Sequence, residues 1–165
     1  MATDKNSSGM AYPLTKMNFL VSVPDLSGTM AAFNEVSGIE ASVDVIEFRQ
    51  GNSHSLAPVK IPGLVKHGNI TLKMGYTIGN GMKKWIQDCV SETREAMPRK
   101  TVTIELLDIR DGAPSAAYES VSGSITWVLK EAWVTKYTGP DLNSTASEVA
   151  IESVELAYEE LTIPD

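Results

Sequence analysis

The segment SEVAIESVELAYEEL, Ser147–Leu161, mixes acidic and apolar residues in a pattern that fits either a helix or a strand. A helix would place its apolar residues on one face and four carboxylates on the other, at Glu148, Glu152, Glu155 and Glu159. Like charges spaced i,i+4 without a basic partner cost about a few tenths of a kcal/mol per pair. The helix therefore carries an electrostatic penalty along its whole length.

As a strand, the same segment changes phase in its middle. Val149 and Ile151 would share one face, whereas Val154, Leu156 and Tyr158 would continue on the opposite face. Such a change predicts a bulge or a corner between two sheets. Periodicity alone does not decide between the two forms, but the strand avoids the stacked charges of the helix.

The acidic character extends outward from this segment to the whole C-terminal part of the chain. Residues 137–165 hold seven acidic side chains and no Lys or Arg, which equals the formal net charge of −7. We expect no specific nucleic-acid binding, because phosphate recognition needs clustered basic residues. No apolar run approaches the roughly 20 residues of a membrane span, so we also expect no membrane insertion of the free subunit.

The first residues of the chain and the remainder are expected to differ in flexibility. Residues 1–11 are small and polar and are predicted to form a flexible arm without the apolar centre of a secretory signal. Residues 12–165 are predicted to form a single domain, since 42% of the 165 residues are hydrophobic and can build one sizeable core. Cys89 is the single cysteine, which fits cytoplasmic synthesis without an internal disulfide.

Period-two alternation predicts about seven strands, most of them antiparallel because no strand–helix alternation occurs. Besides the C-terminal segment, the predicted strand regions are Met17–Val23, Phe33–Ile39, Ala41–Arg49, Asn69–Met74, Thr101–Asp108 and Val121–Tyr137. The last of these is long enough for one bent strand or two. The expected fold is mainly β (α+β), with two packed antiparallel sheets in a sandwich or barrel and one flanking helix.

One helix is predicted after Gly79–Gly81. Its apolar residues fall at i, i+3, i+4, i+7 and i+8, at Met82, Trp85, Ile86, Cys89 and Val90. We expect Trp85, Ile86 and Cys89 to join the core, together with Phe19 of the first strand.

Few residues are candidates for chemistry. His54 and His67 have no further ligand at metal-binding spacing, and no Gly-x-Ser-x-Gly motif is present. Cys89 lies on the apolar stripe, which favours an inert buried thiol over a nucleophile. We therefore predict neither catalysis nor a metal or cofactor site.

Five segments in order resemble tail tube proteins of contractile phages. They are FNEVSGI (Phe33–Ile39), FRQG (Phe48–Gly51), IPGLVKHGNITLKMG (Ile61–Gly75), WVTKYTGPDLNS (Trp133–Ser144) and EVAIESVEL (Glu148–Leu156). Their order and spacing match from about Tyr12 to Leu161, nearly the whole chain. The same family includes the inner tubes of R-type pyocins and extracellular contractile injection systems, and its fold is shared by the haemolysin-coregulated tube protein of type VI secretion.

The resemblance implies a structural role and a strand for the C-terminal segment. Six subunits would form a ring, and rings would stack into a tube with a lumen for cargo or DNA. A contracting sheath would drive the tube through a target envelope, with baseplate, initiator and terminator proteins as further partners. Assembly would begin in the cytoplasm, and the phage-like particle would then be released.

The sequence departs from the family pattern at Tyr158–Leu161, where YEEL stands in place of His-Glu-Gly-Leu. This leaves phage, pyocin and injection system open, although the chain length and the entry Ala11–Leu14 favour the injection-system branch. Two alternative functions also remain open. One is a single-ring tube initiator or adaptor at the baseplate, and the other is a monomeric ligand-binding or hydrolytic β-barrel.

A long loop is predicted at about residues 47–68. It combines charges with apolar residues that a simple connection would not need, whereas a contact surface requires apolar anchors within a polar rim. The family implies the same use. We expect contacts between subunits and between rings at Glu47, Arg49, Leu56, Val59, Lys60, Ile61, Leu64 and Lys66.

Overall fold

The computed structural model describes residues 16–24, 26, 33–76, 81–91, 98–107 and 125–164, so the predicted arm at residues 1–11 lies outside the described residues. The described part contains nine strands and one helix, a mainly β architecture as predicted. In chain order they are β1 (Phe19–Ser22), β2 (Phe33–Ser37), β3 (Ala41–Phe48), β4 (Val59–His67), β5 (Ile70–Gly75), α1 (Gly81–Val90), β6 (Lys100–Leu106), β7 (Ile125–Thr138), β8 (Ile151–Ala157) and β9 (Glu160–Thr162).

The long strand β7 belongs to both halves of the main β structure. Its first half pairs with β6 and β9, and its second half pairs with β8, all antiparallel. The strand order is β1-β6-β7-β8-β5-β2, with β9 added at β7. Glu131, near the middle of β7, has a φ of 53°, which is uncommon for a residue other than glycine. The region Val121–Tyr137 thus contains one bent strand in its described part.

The C-terminal segment is a strand, as the charge argument favoured, but its predicted change of phase is wrong. β8 pairs with β5 in unbroken register, from Ile70↔Leu156 to Gly75↔Ile151. Its buried residues alternate regularly through Glu152, Val154 and Leu156. The register shift lies instead between β7 and β8, where the extra residue belongs to β7. Glu152 occupies an inner position of β8. An apolar residue there would have made the regular alternation visible in the sequence.

A single hydrophobic core joins both halves of the β structure and the helix. It contains Val21, Val102, Ile104 and Leu129 from one half, and Ile70, Leu72, Val154 and Leu156 from the other. Phe19 is only partly buried and packs against this core.

The helix α1 buries its apolar stripe in the same core. Trp85 is 1% exposed, and its indole Nε1 donates a hydrogen bond of 2.6 Å to the Pro98 carbonyl oxygen. Ile86 and Cys89 are buried beside it, whereas Val90, predicted on the same stripe, is exposed. Among the described residues, no helix has the length and apolarity needed to cross a membrane.

Strands β3 and β4 form a separate two-stranded sheet that pairs with no other described strand. The predicted loop at 47–68 is therefore wrong in extent, because residues 59–67 form β4 and only 49–58 join the two strands. Pro62 and Gly63 are typical of turns but lie within β4: Pro62 is opposite Val45, and Gly63 lies where the register shifts, close to Asp44. A proline is tolerated at such a position because β4 pairs with β3 alone among the described strands and needs few backbone donors.

Candidate functional site

The hairpin formed by β3, residues 49–58 and β4 carries more than half of the exposed large hydrophobic side chains of the described residues. Of 17 large hydrophobic side chains exposed in the described residues, nine lie here: Val43, Val45, Ile46, Phe48, Leu56, Val59, Ile61, Leu64 and Val65. A contiguous exposed apolar surface marks a contact site in a soluble protein. An isolated two-stranded ribbon is also marginally stable at best in water. Both properties make the hairpin a candidate contact surface.

One face of the hairpin, here called the Phe48 face, is an apolar ladder. In the antiparallel register Ile46 lies opposite Ile61, and Phe48 lies opposite Val59. Cross-strand apolar pairs of this kind stabilise a ribbon by about 0.2–1 kcal/mol each. An ion pair borders the ladder on the same face, where Nζ of Lys66 lies 2.7 Å from Oδ2 of Asp44.

The opposite face, here called the Val45 face, is also apolar. Val43 lies opposite Val65, and Val45 lies opposite Pro62. Towards the connecting loop the pairing continues with Glu47 opposite Lys60, which adds a pair of opposite charges. Both faces therefore carry exposed apolar pairs, and neither has the polar composition of a face that stays in solvent.

The connecting loop is held together by its own hydrogen bonds. The guanidinium group of Arg49 donates from Nε to the Ser55 carbonyl oxygen at 3.2 Å and from Nη2 to that of Ser53 at 3.5 Å. The backbone NH of Ser55 donates to the Ser53 hydroxyl oxygen at 3.2 Å. Leu56 is left 87% exposed. Arg49 thus shapes the loop, and Leu56 is its free apolar side chain.

All eight residues predicted for contacts lie on this hairpin, but on different parts of it. Val59, Ile61 and Lys66 belong to the Phe48 face, Glu47 and Lys60 to the Val45 face, Arg49 and Leu56 to the loop, and Leu64 to the irregular pairing. Their use in contacts stays a prediction. Four exposed residues of β3 are absent from the predicted set, namely Val43, Val45, Ile46 and Phe48. The signal was the adjacent pair Val45–Ile46, which places apolar side chains on both faces of one strand.

The root of the hairpin is held by Tyr158. Its hydroxyl group donates a hydrogen bond of 3.0 Å to the Glu40 carbonyl oxygen, and its ring centroid lies 5.1 Å from that of His67. Burial raises the pKa of Tyr158 above its ordinary value. Gly38, between β2 and β3, adopts a φ of 89°, a conformation that would be strained for a residue with a side chain.

A second polar group lies under the helix, away from the hairpin. The Tyr137 hydroxyl donates 2.9 Å to Oε2 of Glu152, a side chain with no exposed surface. Nζ of Lys83 lies 4.0 Å from Oε1 of Glu152 and 3.3 Å from the centroid of the Tyr76 ring. Burial, and then the hydrogen bond to Glu152, raise the pKa of Tyr137. Tyr137 thus satisfies one oxygen of the buried carboxylate, while Oε1 accepts no hydrogen bond among the described residues and lies at ion-pair distance from Lys83 of α1.

A shallow cavity of about 210 Å³ adjoins this polar group, lined by Lys83, Ile86, Gln87, Val90 and Tyr137. Glu152 has no exposed surface and does not line the cavity. Within the described ranges, no group of three or more His, Cys, Asp or Glu side chains is arranged to hold a metal ion. The geometry of the described residues is thus suited to protein contacts, and the hairpin is the candidate site.

Comparison with known proteins gives one family. A family model described as T4-like virus tail tube protein gp19 matches residues 15–162. No curated protein sequence matches the chain.

Solved structures agree with this match over nearly the whole chain. The cryo-EM structure of an extracellular contractile injection system, the PVC sheath–tube complex in its extended state, has a chain 27% identical with a TM-score of 0.71, covering 96% of this chain and 97% of that one. The PVC sheath/tube terminator is 28% identical, with a TM-score of 0.71 and coverage of 93% and 98%. The tube-terminating cap of the anti-feeding prophage is 27% identical, with a TM-score of 0.70 and coverage of 93% and 92%.

Proposed function

The chain belongs to the family of T4-like virus tail tube proteins, and from this premise we propose that it is an inner-tube subunit of a contractile injection system. The hairpin is the observation that carries the proposal. Its two faces are apolar, and no other described strand of the same chain pairs with it. Copies of the same protein supply the missing cover in a repeating assembly.

The assembly we propose is a hexameric ring that stacks on further rings. The strands at the two ends of the main strand order, β1 and β2, each have one neighbour within the described residues. Unpaired strand edges favour pairing with another chain, and closure of a ring removes them. The hairpin then contacts neighbouring copies within and between rings, through the eight residues predicted above and the four exposed residues of β3.

We infer the remaining partners from the related complexes. A sheath surrounds the tube, baseplate and terminator proteins cap its ends, and the lumen conducts cargo. The sheath–tube complex that is 27% identical across 96% of this chain supports the sheath as a partner. The role is structural rather than enzymatic, in keeping with the structural tube proteins of the family.

A second candidate is a single-ring terminator or adaptor. The observation that favours it is the identity to the terminator and the cap, 28% and 27%, which is no lower than the 27% to the sheath–tube chain. The two roles differ in whether rings of this chain stack on one another.

Electron microscopy and native mass spectrometry of the purified protein test both candidates. We expect hexamers at micromolar concentration and tubes at higher concentration. Single rings that never stack would assign the terminator or adaptor role, and monomers at all concentrations would contradict both.

A matched pair of charge substitutions tests the hairpin. Val45→Glu places a charge on the Val45 face, whereas Val149→Glu places one at an exposed residue outside the hairpin; these side chains are 60% and 78% exposed. We expect Val45→Glu to abolish tubes and Val149→Glu to leave them intact. Normal tubes from the Val45→Glu protein would show that this face makes no contact.

A further inference from the structure

The hairpin is joined to the rest of the subunit by two short connections. Residues 38–40 lead from β2 into β3, and residues 68–69 lead from β4 into β5. Gly38 and Gly68 lie in these connections, and each is closely approached by the opposite connection. A Cβ atom on Gly38 would clash with the Asn69 carbonyl oxygen, and one on Gly68 would clash with the Glu40 side chain. The two connections therefore pack directly against each other.

This root is the place where the angle of the hairpin is set. β2 pairs with β5, and β3 pairs with β4, but the two ladders belong to separate sheets. Between them the backbone passes through two glycines, which restrict its direction less than any other residue. Contacts made at the root are therefore needed to hold the hairpin in one direction.

Tyr158 makes such contacts at the start of β3 and at the end of β4. Its hydroxyl donates to the carbonyl oxygen of Glu40, the residue before β3, and its ring packs on His67, the last residue of β4. Ala41, the first residue of β3, lies opposite His67 in the ladder. One side chain thus contacts both chain segments at the pair Ala41–His67, where the hairpin begins.

Tyr158 is itself fixed in the body of the subunit. It directly follows β8, is 7% exposed and belongs to the hydrophobic core. On the other side of the contact, Nδ1 of His67 is buried and has no hydrogen-bond partner among the described residues. The contact between the Tyr158 and His67 rings is therefore a packing contact and not a hydrogen bond to Nδ1.

We propose that Tyr158 is a positioning residue that fixes the direction of the β3–β4 hairpin relative to the body of the subunit. This inference rests on the proposed function, in which the hairpin contacts other copies of the chain. A hairpin held in its bound direction before assembly loses less conformational freedom on binding. The Tyr158 hydroxyl then promotes assembly without touching a neighbouring subunit.

The test measures the hairpin direction in the free subunit. Spin labels at Asn52→Cys in the loop and Thr138→Cys on β7 report the distance between hairpin and body, both positions being exposed. We expect Tyr158→Phe, which removes the hydrogen bond and keeps the ring, to widen the distance distribution. Tyr137→Phe, which removes a tyrosine hydrogen bond away from the hairpin, is the matched control and should leave it unchanged.

Assembly is the second measurement. We expect Tyr158→Phe to raise the protein concentration needed for assembly about fivefold, the effect of losing one neutral hydrogen bond. A normal distance distribution in Tyr158→Phe would overturn the inference, even if assembly were weakened. Failure of the unsubstituted protein to assemble would contradict the proposed function instead, while the distances would still report on Tyr158.

Substitution of His67 provides an independent comparison. His67→Phe retains an aromatic ring against Tyr158 and should keep the narrow distribution, whereas His67→Ala should widen it. Because His67 is at the end of the hairpin and only partly buried, both variants are expected to fold. Equal distributions in the two would contradict the role of the ring contact.

Discussion

At the scale of single residues, the buried carboxylate of Glu152 shows where sequence patterns reach their limit. In the sequence, Glu152 belongs to a series of glutamates that would be exposed on one face of a helix. In the structure it takes an inner position of β8, because Tyr137 donates to it and Lys83 lies 4.0 Å away. Neither partner is a neighbour of Glu152 in sequence. A local sequence pattern could therefore not show that this carboxylate is buried.

Removal of the hydrogen bond to Glu152 should destabilise the protein. In Tyr137→Phe, the buried oxygen Oε2 of Glu152 loses the donor that lies at 2.9 Å. A buried acceptor without a partner costs about 1–3 kcal/mol. Urea denaturation measures the free energy of unfolding, with Tyr76→Phe as the control. A difference between these variants below about 0.5 kcal/mol, the usual size of a neutral surface change, would contradict the prediction.

A second prediction at this scale concerns alkaline pH. The pKa values of Tyr137 and Tyr158 are raised in the folded protein, chiefly by burial. Folding then favours the protonated phenol, so this stabilisation is present below the unfolded pKa of about 10 and is lost as pH rises through the folded pKa. We expect stability to fall above about pH 10 less steeply in Tyr158→Phe than in the unsubstituted protein. Denaturation at several alkaline pH values measures this, and identical slopes would be evidence against it.

At the scale of elements, the sequence predicted which segments are helix or strand better than it predicted where they begin and end. The stacked carboxylates correctly favoured a strand over a helix for β8, and the spacing of Trp85, Ile86 and Cys89 correctly indicated α1. β4 lies within the region predicted as a loop, and it contains Pro62 and Gly63, two residues that are typical of turns. Both residues fit into β4 because the pairing with β3 is irregular at this point. That pairing depends on a second strand and cannot be predicted from the sequence of β4 alone.

The helix α1 offers a direct test of its predicted packing. Trp85→Ala should lower the free energy of unfolding by about 3–5 kcal/mol, since a large aromatic side chain leaves a cavity in the core. The substitution also removes the 2.6 Å hydrogen bond to Pro98. Lys84→Ala on the exposed face is the control. A thiol reagent should label Cys89 slowly in the folded protein, because this side chain is only 4% exposed; rapid labelling would contradict the assigned packing.

At the scale of the whole molecule, the hairpin is separate from the main sheet. We therefore expect that its loop can be changed without loss of the fold but with loss of assembly. Replacing residues 50–58 by a short Gly-Ser turn removes Leu56 and the loop that Arg49 organises. Surface loops tolerate such changes of length, so we expect a normal circular dichroism spectrum. We also expect no tubes by negative-stain microscopy. Tubes of normal length would show that the loop only connects β3 to β4.

The shared strand β7 has a mechanical consequence for the subunit. Its backbone runs without interruption from the ladder with β6 and β9 into the ladder with β8. A pulling force on one half of the β structure therefore reaches the other half through covalent bonds as well as through side-chain packing. Under axial load the two halves should yield together as one stiff body, and the separate hairpin should deform before them.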